Sequence, residues 1–247
     1  MMAGKIQLSI VIPAHNEHSN LPFLLEDLVN LRAKLPEAEI IVVDDNSQDT
    51  TLKIATAFSR KHDFIRAIHR GKGDNGMGAA LKEGTKAAKG KYVVWLMGDR
   101  SDNLSALPQF VKKLESGFDM VFGSRHMKGG SRGDLAVSKA ILSHGYTLCT
   151  RILFGIRVHD ITNAFRAFRK ELFDRIALES DNFAISPEFA IKAQLAGYKL
   201  CEVPTGYRDR QSGVSKFKLV RMGVDYVSLF KYRITGYKAG KGKIRVR

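Results

Sequence analysis

The stretch Lys91-Tyr92-Val93-Val94-Trp95-Leu96-Met97-Gly98-Asp99-Arg100-Ser101-Asp102-Asn103 decides the fold. Tyr92 to Met97 form a near-continuous apolar run, the pattern of a strand covered on both faces in a parallel sheet. The run meets a polar turn at Gly98 to Asp102. Open α/β sheets bind ligands beyond the carboxyl ends of their strands, so Asp99 stands at the mouth of a cleft. A carboxylate there suits a hard cation shared with phosphate oxygens. The plain alternative is a solvated turn capping the next helix.

Outward from this strand the pattern repeats. Ile6 to Ile12, Glu39 to Val43 and Phe64 to Ile68 read as buried strands. Helices over Asn20 to Leu35, Thr50 to Arg60 and Ala79 to Lys89 alternate with them. Ser19 or Asn20 is the expected cap of the first helix, and Gly90 the expected stop of the third. This alternation predicts a parallel sheet with crossover helices. Further on come a helix from Leu107 to Ser116, a strand from Asp119 to Gly123 and a long helix from Ala136 to Phe154. Short strands follow at Phe165 to Phe168 and Lys199 to Val203, with a helix from Ser186 to Ala196 between them.

The 247 residues are 44% apolar, enough for one sizeable core. A net charge of +15 asks for a polyanionic partner or surface. Lys231 to Arg247 carries seven Lys or Arg and no acid, so much of the excess is C-terminal. No zinc-finger spacing, RNA-binding aromatic signature or helix-turn-helix pattern supports nucleic acid as the partner. Cys149 and Cys201 lack metal-ligand spacing and read as reduced packing residues. No window has the length and apolarity of a membrane span, and the N-terminus lacks a signal-peptide pattern, so the expected compartment is cytoplasmic.

Acids recur at strand ends: Glu17, then Asp44 and Asp45, then Asp99. A nucleotide site uses such acids, because they accept hydrogen bonds from base N–H and ribose hydroxyl groups while one holds metal. The loop Gly71 to Gly78 lacks the Lys-Ser/Thr of a Walker A motif and does not follow the first strand. It reads as a turn that permits close backbone packing.

Several motifs resemble the nucleotide-sugar-binding half of GT-A glycosyltransferases: Ile12-Pro13-Ala14-His15-Asn16-Glu17, Val42-Val43-Asp44-Asp45-Asn46-Ser47, Gly76-Met77-Gly78-Ala79-Ala80 and Met97-Gly98-Asp99. The downstream motifs Gly123-Ser124-Arg125, Asp160 to Arg166, Glu202-Val203-Pro204, Asp209-Arg210 and Gly213 to Lys216 resemble the dolichyl-phosphate mannose synthase group, which loads sugars onto polyprenyl phosphates. The resemblance implies a GT-A, Rossmann-like, mostly parallel sheet flanked by helices over residues 1–216. It implies inverting transfer of mannose from GDP-mannose to dolichyl or polyprenyl phosphate, with Mg²⁺ or Mn²⁺ as cofactor. Pro13, His15 and Glu17 would line the nucleotide pocket, Val42 and Asp44 would reach the base, and Met97 and Gly98 would border the donor. Asp99 and Ser101 would hold the metal. Arg125, Arg210 and Lys216 would hold the donor diphosphate and acceptor phosphate, with Lys139 and Ser143 near the latter.

The sequence departs from the group's pattern at Met97, where the metal turn usually starts with Asp, at Asn163-Ala164 and at Lys139. Rival expectations are a UDP-sugar donor, a hydroxyl acceptor, and a catalytically impaired nucleotide-sugar-binding protein. Residues 217–247 form the second expected unit, an amphipathic helix and basic tail. Lys218, Arg221, Asp225 and Ser228 make a polar stripe on an otherwise apolar helix. It either packs back on the domain or lies on an anionic membrane, which would place the protein peripherally at a cytoplasmic membrane face.

Overall fold

The structure is a computed structural model and describes residues 6–71, 73, 75–208 and 219–237. Seven strands form one sheet: β1 (Leu8–Ala14), β2 (Ala38–Asp44), β3 (Ile65–His69), β4 (Tyr92–Trp95), β5 (Met120–Ser124), β6 (Arg166–Arg169) and β7 (Leu200–Pro204). Their spatial order is β3-β2-β1-β4-β6-β5-β7. β1 pairs in parallel with β2 and β4, β2 with β3, and β5 with β7. β6 runs antiparallel to both β4 and β5. The sheet is thus mostly parallel, as expected, with one reversed strand that the apolar pattern does not distinguish.

The helices are α1 (Leu21–Leu31), α2 (Thr51–Lys61), α3 (Met77–Ala87), α4 (Leu107–Glu115), α5 (Val137–Phe154), α6 (Lys170–Arg175), α7 (Ile185–Leu195), α8 (Leu219–Ser228) and α9 (Lys231–Thr235). They cover two hydrophobic layers. One holds Ile10, Ile12, Val42, Val94, Leu24, Leu28 and Phe110. The other holds Val11, Val43, Trp95, Phe122, Phe168 and Phe189. Alternate residues of β1 fall in opposite layers, as the period of a two-sided strand requires.

Two helix boundaries differ from expectation. The first helix ends at Leu31 and continues as a 3-10 turn, Arg32–Lys34. Asn20 occupies the cap position, but its side chain makes no capping bond and donates instead to Glu17 Oε2 at 2.8 Å. The third helix ends at Ala87, with Ala88 in an extended conformation, so Gly90 is not the stop residue. Gly90 is glycine for another reason. A Cβ there would lie 2.7 Å from Ser9 N and 2.8 Å from Leu8 C, inside the backbone of β1.

The C-terminal helices pack on the second layer through Leu229 and Tyr232, with Tyr226 and Phe230 alongside. Tyr146 of α5 donates to the Tyr226 carbonyl at 2.9 Å and stacks on Phe230 at 5.5 Å. Asp225, expected on a solvated stripe, accepts from Asn182 Nδ2 at 2.8 Å and so faces the domain. The outer side of α8 shows Val224 and Val227. On α5, Ala140, Thr147, Thr150 and Phe154 face inward, while Val137, Ile141, Leu148 and Ile152 are 48% to 75% exposed. These four recur at intervals of four and seven, a narrow apolar stripe along one face. Among the described residues no helix is long and apolar enough to cross a membrane.

Gly90→Ala should destabilise the fold by about 2 kcal/mol, because the overlap is with backbone and no rotamer change relieves it. Urea unfolding followed by circular dichroism measures this.

Candidate active site

The carboxyl ends of β1, β2 and β4 meet at one edge. The loop after β1 is fixed to the loop after β2 by side chains. Asn16, in a left-handed conformation at φ 57°, accepts from Gln48 N at 2.7 Å, and its own N–H donates to Ser47 Oγ at 3.0 Å. His15 Nδ1 lies 2.5 Å from the Asp45 carbonyl oxygen. Glu17 is held by Thr51, whose hydroxyl accepts from Glu17 N at 2.8 Å. Pro13, His15 and Glu17 therefore lie together at this edge, as the sequence predicts.

Asp44 is fully buried. Its Oδ2 bonds His69 Nδ1 at 2.8 Å, while Oδ1 is buried without a hydrogen-bond partner. An orphaned carboxylate oxygen is costly unless a ligand N–H or O–H meets it. Val42 is also fully buried, but its side chain belongs to the core and does not reach this edge. Asp45 forms an ion pair with Arg70 and accepts from Gly76 N at 2.7 Å. This ties the glycine loop to the end of β2. Gly76 itself rests on the 180–182 segment, where a Cβ would fall 2.3 Å from the Asp181 carbonyl oxygen. Close packing, not phosphate chelation, explains that glycine.

At the metal turn Asp99 is 7% exposed and Ser101 4%. Asp99 Oδ1 accepts from Ser101 N at 3.1 Å. Gly98 backs onto the Pro13 carbonyl. Met97 N donates to Asp102 Oδ2 at 3.0 Å, so the Asp102 carboxylate folds back onto the backbone of Met97. Burial pushes the Asp102 carboxyl up to about 7, with the bond from Met97 opposing and the Asp99 charge reinforcing. Arg100, at φ 60°, is anchored outward by Asp27 at 2.7 Å. Among the described residues, no group of three or more His, Cys, Asp or Glu could hold a metal alone. The donor set fits Mg²⁺ or Mn²⁺ only as a shared site: two hard protein oxygens, from Asp99 and Ser101, completed by phosphate and water.

The far side of the cleft is built on Asp160, which is fully buried. It accepts from Arg125 Nε at 2.7 Å, Arg125 Nη2 at 3.0 Å, Thr162 Oγ1 at 3.1 Å and Asn163 N at 3.2 Å. Burial alone would raise this carboxyl; the Arg125 guanidinium more than offsets it and holds Asp160 below the ordinary carboxylate value. Arg125 is thus turned onto Asp160 and does not point as a free fork into the cleft. Ser143 Oγ lies 2.6 Å from Thr162 Oγ1, and His126 Nε2 lies 3.4 Å from Ser143 Oγ. Lys139 sits one turn before Ser143 on α5. Arg210 and Lys216 lie outside the described residues.

Sequence reasoning did not single out His126, Thr162 or Asp160 individually. The only signal for His126 is its place directly after Ser124-Arg125. Glu188 is a first-turn acid of α7 and is fully buried. It bonds Lys192 Nζ at 2.5 Å and accepts from Glu179 N and Ser180 N, each at 2.8 Å.

Residues 9–177 match the family model described as Glycosyl transferase family 2. The chain is 33% identical to the dolichol-phosphate mannosyltransferase of Pyrococcus furiosus over 215 residues, 86% of this chain and 60% of that protein. It thus spans less than two thirds of the Pyrococcus protein's length. It is 30% identical to the polyprenol monophosphomannose synthase of Mycolicibacterium smegmatis over 214 residues, 84% of this chain and 79% of that protein. Among solved structures, glucosyl-3-phosphoglycerate synthase from Mycobacterium tuberculosis, in complex with Mn²⁺, UDP and phosphoglyceric acid, gives a TM-score of 0.68 at 19% identity. That match covers 96% of this chain and 80% of the other, and at this identity it shows a shared GT-A fold only.

Asp160→Asn should cost about 3 kcal/mol at neutral pH, because it leaves a nearly buried guanidinium half-paired. Asp160 is held below its usual 3.8, so its contribution is present above that pH and is lost only as pH falls further. The gap between variant and parent should therefore close only in strong acid, as read by denaturant unfolding across pH.

Proposed function

Because the chain belongs to glycosyl transferase family 2, we propose that it transfers mannose from GDP-mannose to a dolichyl or polyprenyl phosphate, with inversion at the anomeric carbon. One observation carries the choice of acceptor. The two fully buried carboxylates that follow β5 in the chain, Asp160 and Glu188, are committed to Arg125 and Lys192, and Asp102, whose carboxyl is raised to about 7, is engaged by Met97 N at the metal turn. A hydroxyl acceptor needs a general base to take its proton. A phosphate monoester is ionised at neutral pH and needs only to be positioned. The Thr162 and Ser143 hydroxyls and the Arg125 guanidinium stand together beside Asp160, groups of the kind a phosphate requires. The names of the Pyrococcus and Mycolicibacterium relatives agree with this reading.

In this mechanism Pro13, His15, Glu17 and Asp44 bind the nucleoside, with Asp44 Oδ1 receiving a donor from the base. Asp99 and Ser101 would hold Mg²⁺ or Mn²⁺, which when bound supplies positive charge to the diphosphate. Lys139 holds the acceptor phosphate, Ser143 orders the hydroxyls beside it, and Arg125 adds its charge from the side while keeping Asp160 and Thr162 in place. Arg210 and Lys216 complete the phosphate contacts. A phosphate oxygen attacks the anomeric carbon in line, the bond to the diphosphate breaks, and an α-linked sugar becomes β-linked. The nucleoside diphosphate leaves with the bonding electrons, so no proton need move.

The lipid acceptor sets the third partner, an anionic membrane surface on the cytoplasmic side. The exposed stripe of α5 and the outer side of α8 supply apolar contact, and the basic C-terminal residues supply charge. Cutting the chain before α8 would also strip Leu229 and Tyr232 from the core, so surface substitutions are the cleaner test.

A thermal-shift panel of GDP- and UDP-sugars with Mn²⁺ tests the donor: GDP-mannose should raise the melting temperature most, and a preference for UDP-sugars overturns that choice. Asp99→Ala should lower transfer at least about a hundredfold while the melting temperature changes little. Full turnover by this variant in chelator-treated buffer removes the metal role. Ile141→Glu with Ile152→Glu should weaken binding to anionic liposomes about tenfold or more without changing donor binding, as measured by co-sedimentation.

A further inference from the structure

The hydrogen bonds beside Asp160 have a fixed polarity. Asp160 only accepts, so Thr162 donates to it at 3.1 Å. Thr162 Oγ1 then accepts from Arg125 Nη2 at 3.3 Å and from Ser143 Oγ at 2.6 Å, which uses both of its lone pairs. Ser143 has spent its proton and can only accept from His126 Nε2 at 3.4 Å. This order assigns the His126 proton to Nε2 and leaves Nδ1 as the basic nitrogen. Nδ1 makes no hydrogen bond among the described residues.

Charge at this ring is finely set. Burial lowers the His126 pKa, as do Arg125 on its own strand exit, His144 on α5 and Arg132 in the following loop; Asp160 opposes them. His144 meets the ring edge-on, with centroids 5.6 Å apart. The free site therefore keeps His126 neutral among cations. An arriving dianion reverses the balance.

We infer that His126 is a phosphate-binding residue of the acceptor site, taking a proton from solvent at Nδ1 and holding it there in a hydrogen bond to the lipid phosphate. Ser143 acts by fixing the tautomer that makes this possible. The inference rests on the proposed polyprenyl phosphate acceptor. Transfer of the sugar converts the phosphate from a dianionic monoester to a monoanionic diester, while the departing diphosphate gains the charge. The attraction that holds the His126 proton falls at that moment, and the proton returns to solvent, which favours release of the lipid product.

The test measures the KM for a short isoprenyl monophosphate, farnesyl phosphate, from pH 6.0 to 8.5 in the parent protein and in His126→Gln. Glutamine keeps a donor toward Ser143 but does not titrate. In the parent, acceptor KM should rise with pH, by up to tenfold per unit between the free and the ligand-bound pKa of His126, and level off above the latter. In His126→Gln it should start about tenfold higher near pH 6.5 and stay nearly flat. The ionisation of farnesyl phosphate is common to both and cancels in the comparison, and donor KM should be unchanged. Superimposable acceptor profiles, or an equal change in donor KM, overturn the role of His126. If the parent transfers no sugar to farnesyl phosphate from any GDP- or UDP-sugar, the acceptor assignment falls and takes this inference with it. Matched melting temperatures exclude a folding defect, and His126→Asn provides a second non-titrating variant if Gln does not fold.

Discussion

A single buried carboxylate governs the geometry beyond β5. Asp160 sits in the connection leading to the reversed strand β6, yet its bonds gather the exit of β5 through Arg125 and its own turn through Thr162 and Asn163. Thr162 extends the network to Ser143 and thus to the long helix α5. Three segments distant in sequence are placed by one charge. An ion pair this deep is weak evidence for stability, since desolvation offsets much of the attraction. Its value here is directional: it orders donors and acceptors so that each hydroxyl has one permitted orientation.

The two sides of the cleft use charge differently. At the ends of β1 and β2, acids are satisfied by local side chains, Asp45 by Arg70 and Asp44 by a hydrogen bond with His69, with one Asp44 oxygen left over. On the opposite side one buried acid binds a guanidinium, a hydroxyl and a backbone N–H together. The second pattern extends inward at Arg166, which is fully buried and lies over the Phe122 and Trp95 rings. It donates to the carbonyls of Ile161 at 3.0 Å and Ser186 at 2.7 Å. Burial lowers its pKa to about 9, still well above neutrality, so a positive charge lies beneath the 160–163 turn.

Much of the architecture was legible in the chain because buried strands leave continuous apolar runs. Tyr92 to Trp95 and Ile10 to Ile12 could hardly be read otherwise. Strand direction was not legible: Arg166–Arg169 has the same composition whichever way it runs. Helix α6 was missed because six residues show no full period, although Lys170 with Asp174 and Glu171 with Arg175 are paired four apart. The strand-end positions of Asp99, Glu17 and Asp44 were readable from local pattern. The orientation of Arg125 was not, because its partner lies 35 residues away. Asp225 looked like part of a wet stripe for the same reason, its partner Asn182 being 43 positions earlier.

The segment from Ala177 to Asn182 touches nearly everything at once. Asp181 supports the glycine loop, Asn182 holds Asp225 of α8, and Glu179 bonds Tyr232 of α9 at 3.0 Å and Lys192 of α7 at 2.9 Å. The C-terminal helices are therefore not an interchangeable module. A chimera that grafts the C-terminal part of a relative onto this chain brings foreign partners to Glu179 and Asn182, and their displacement is passed to the backbone beneath Gly76. Exchanging the six connecting residues together with the helices keeps both interfaces matched, so the natural seam for recombination lies ahead of residue 177 and not at the start of α8.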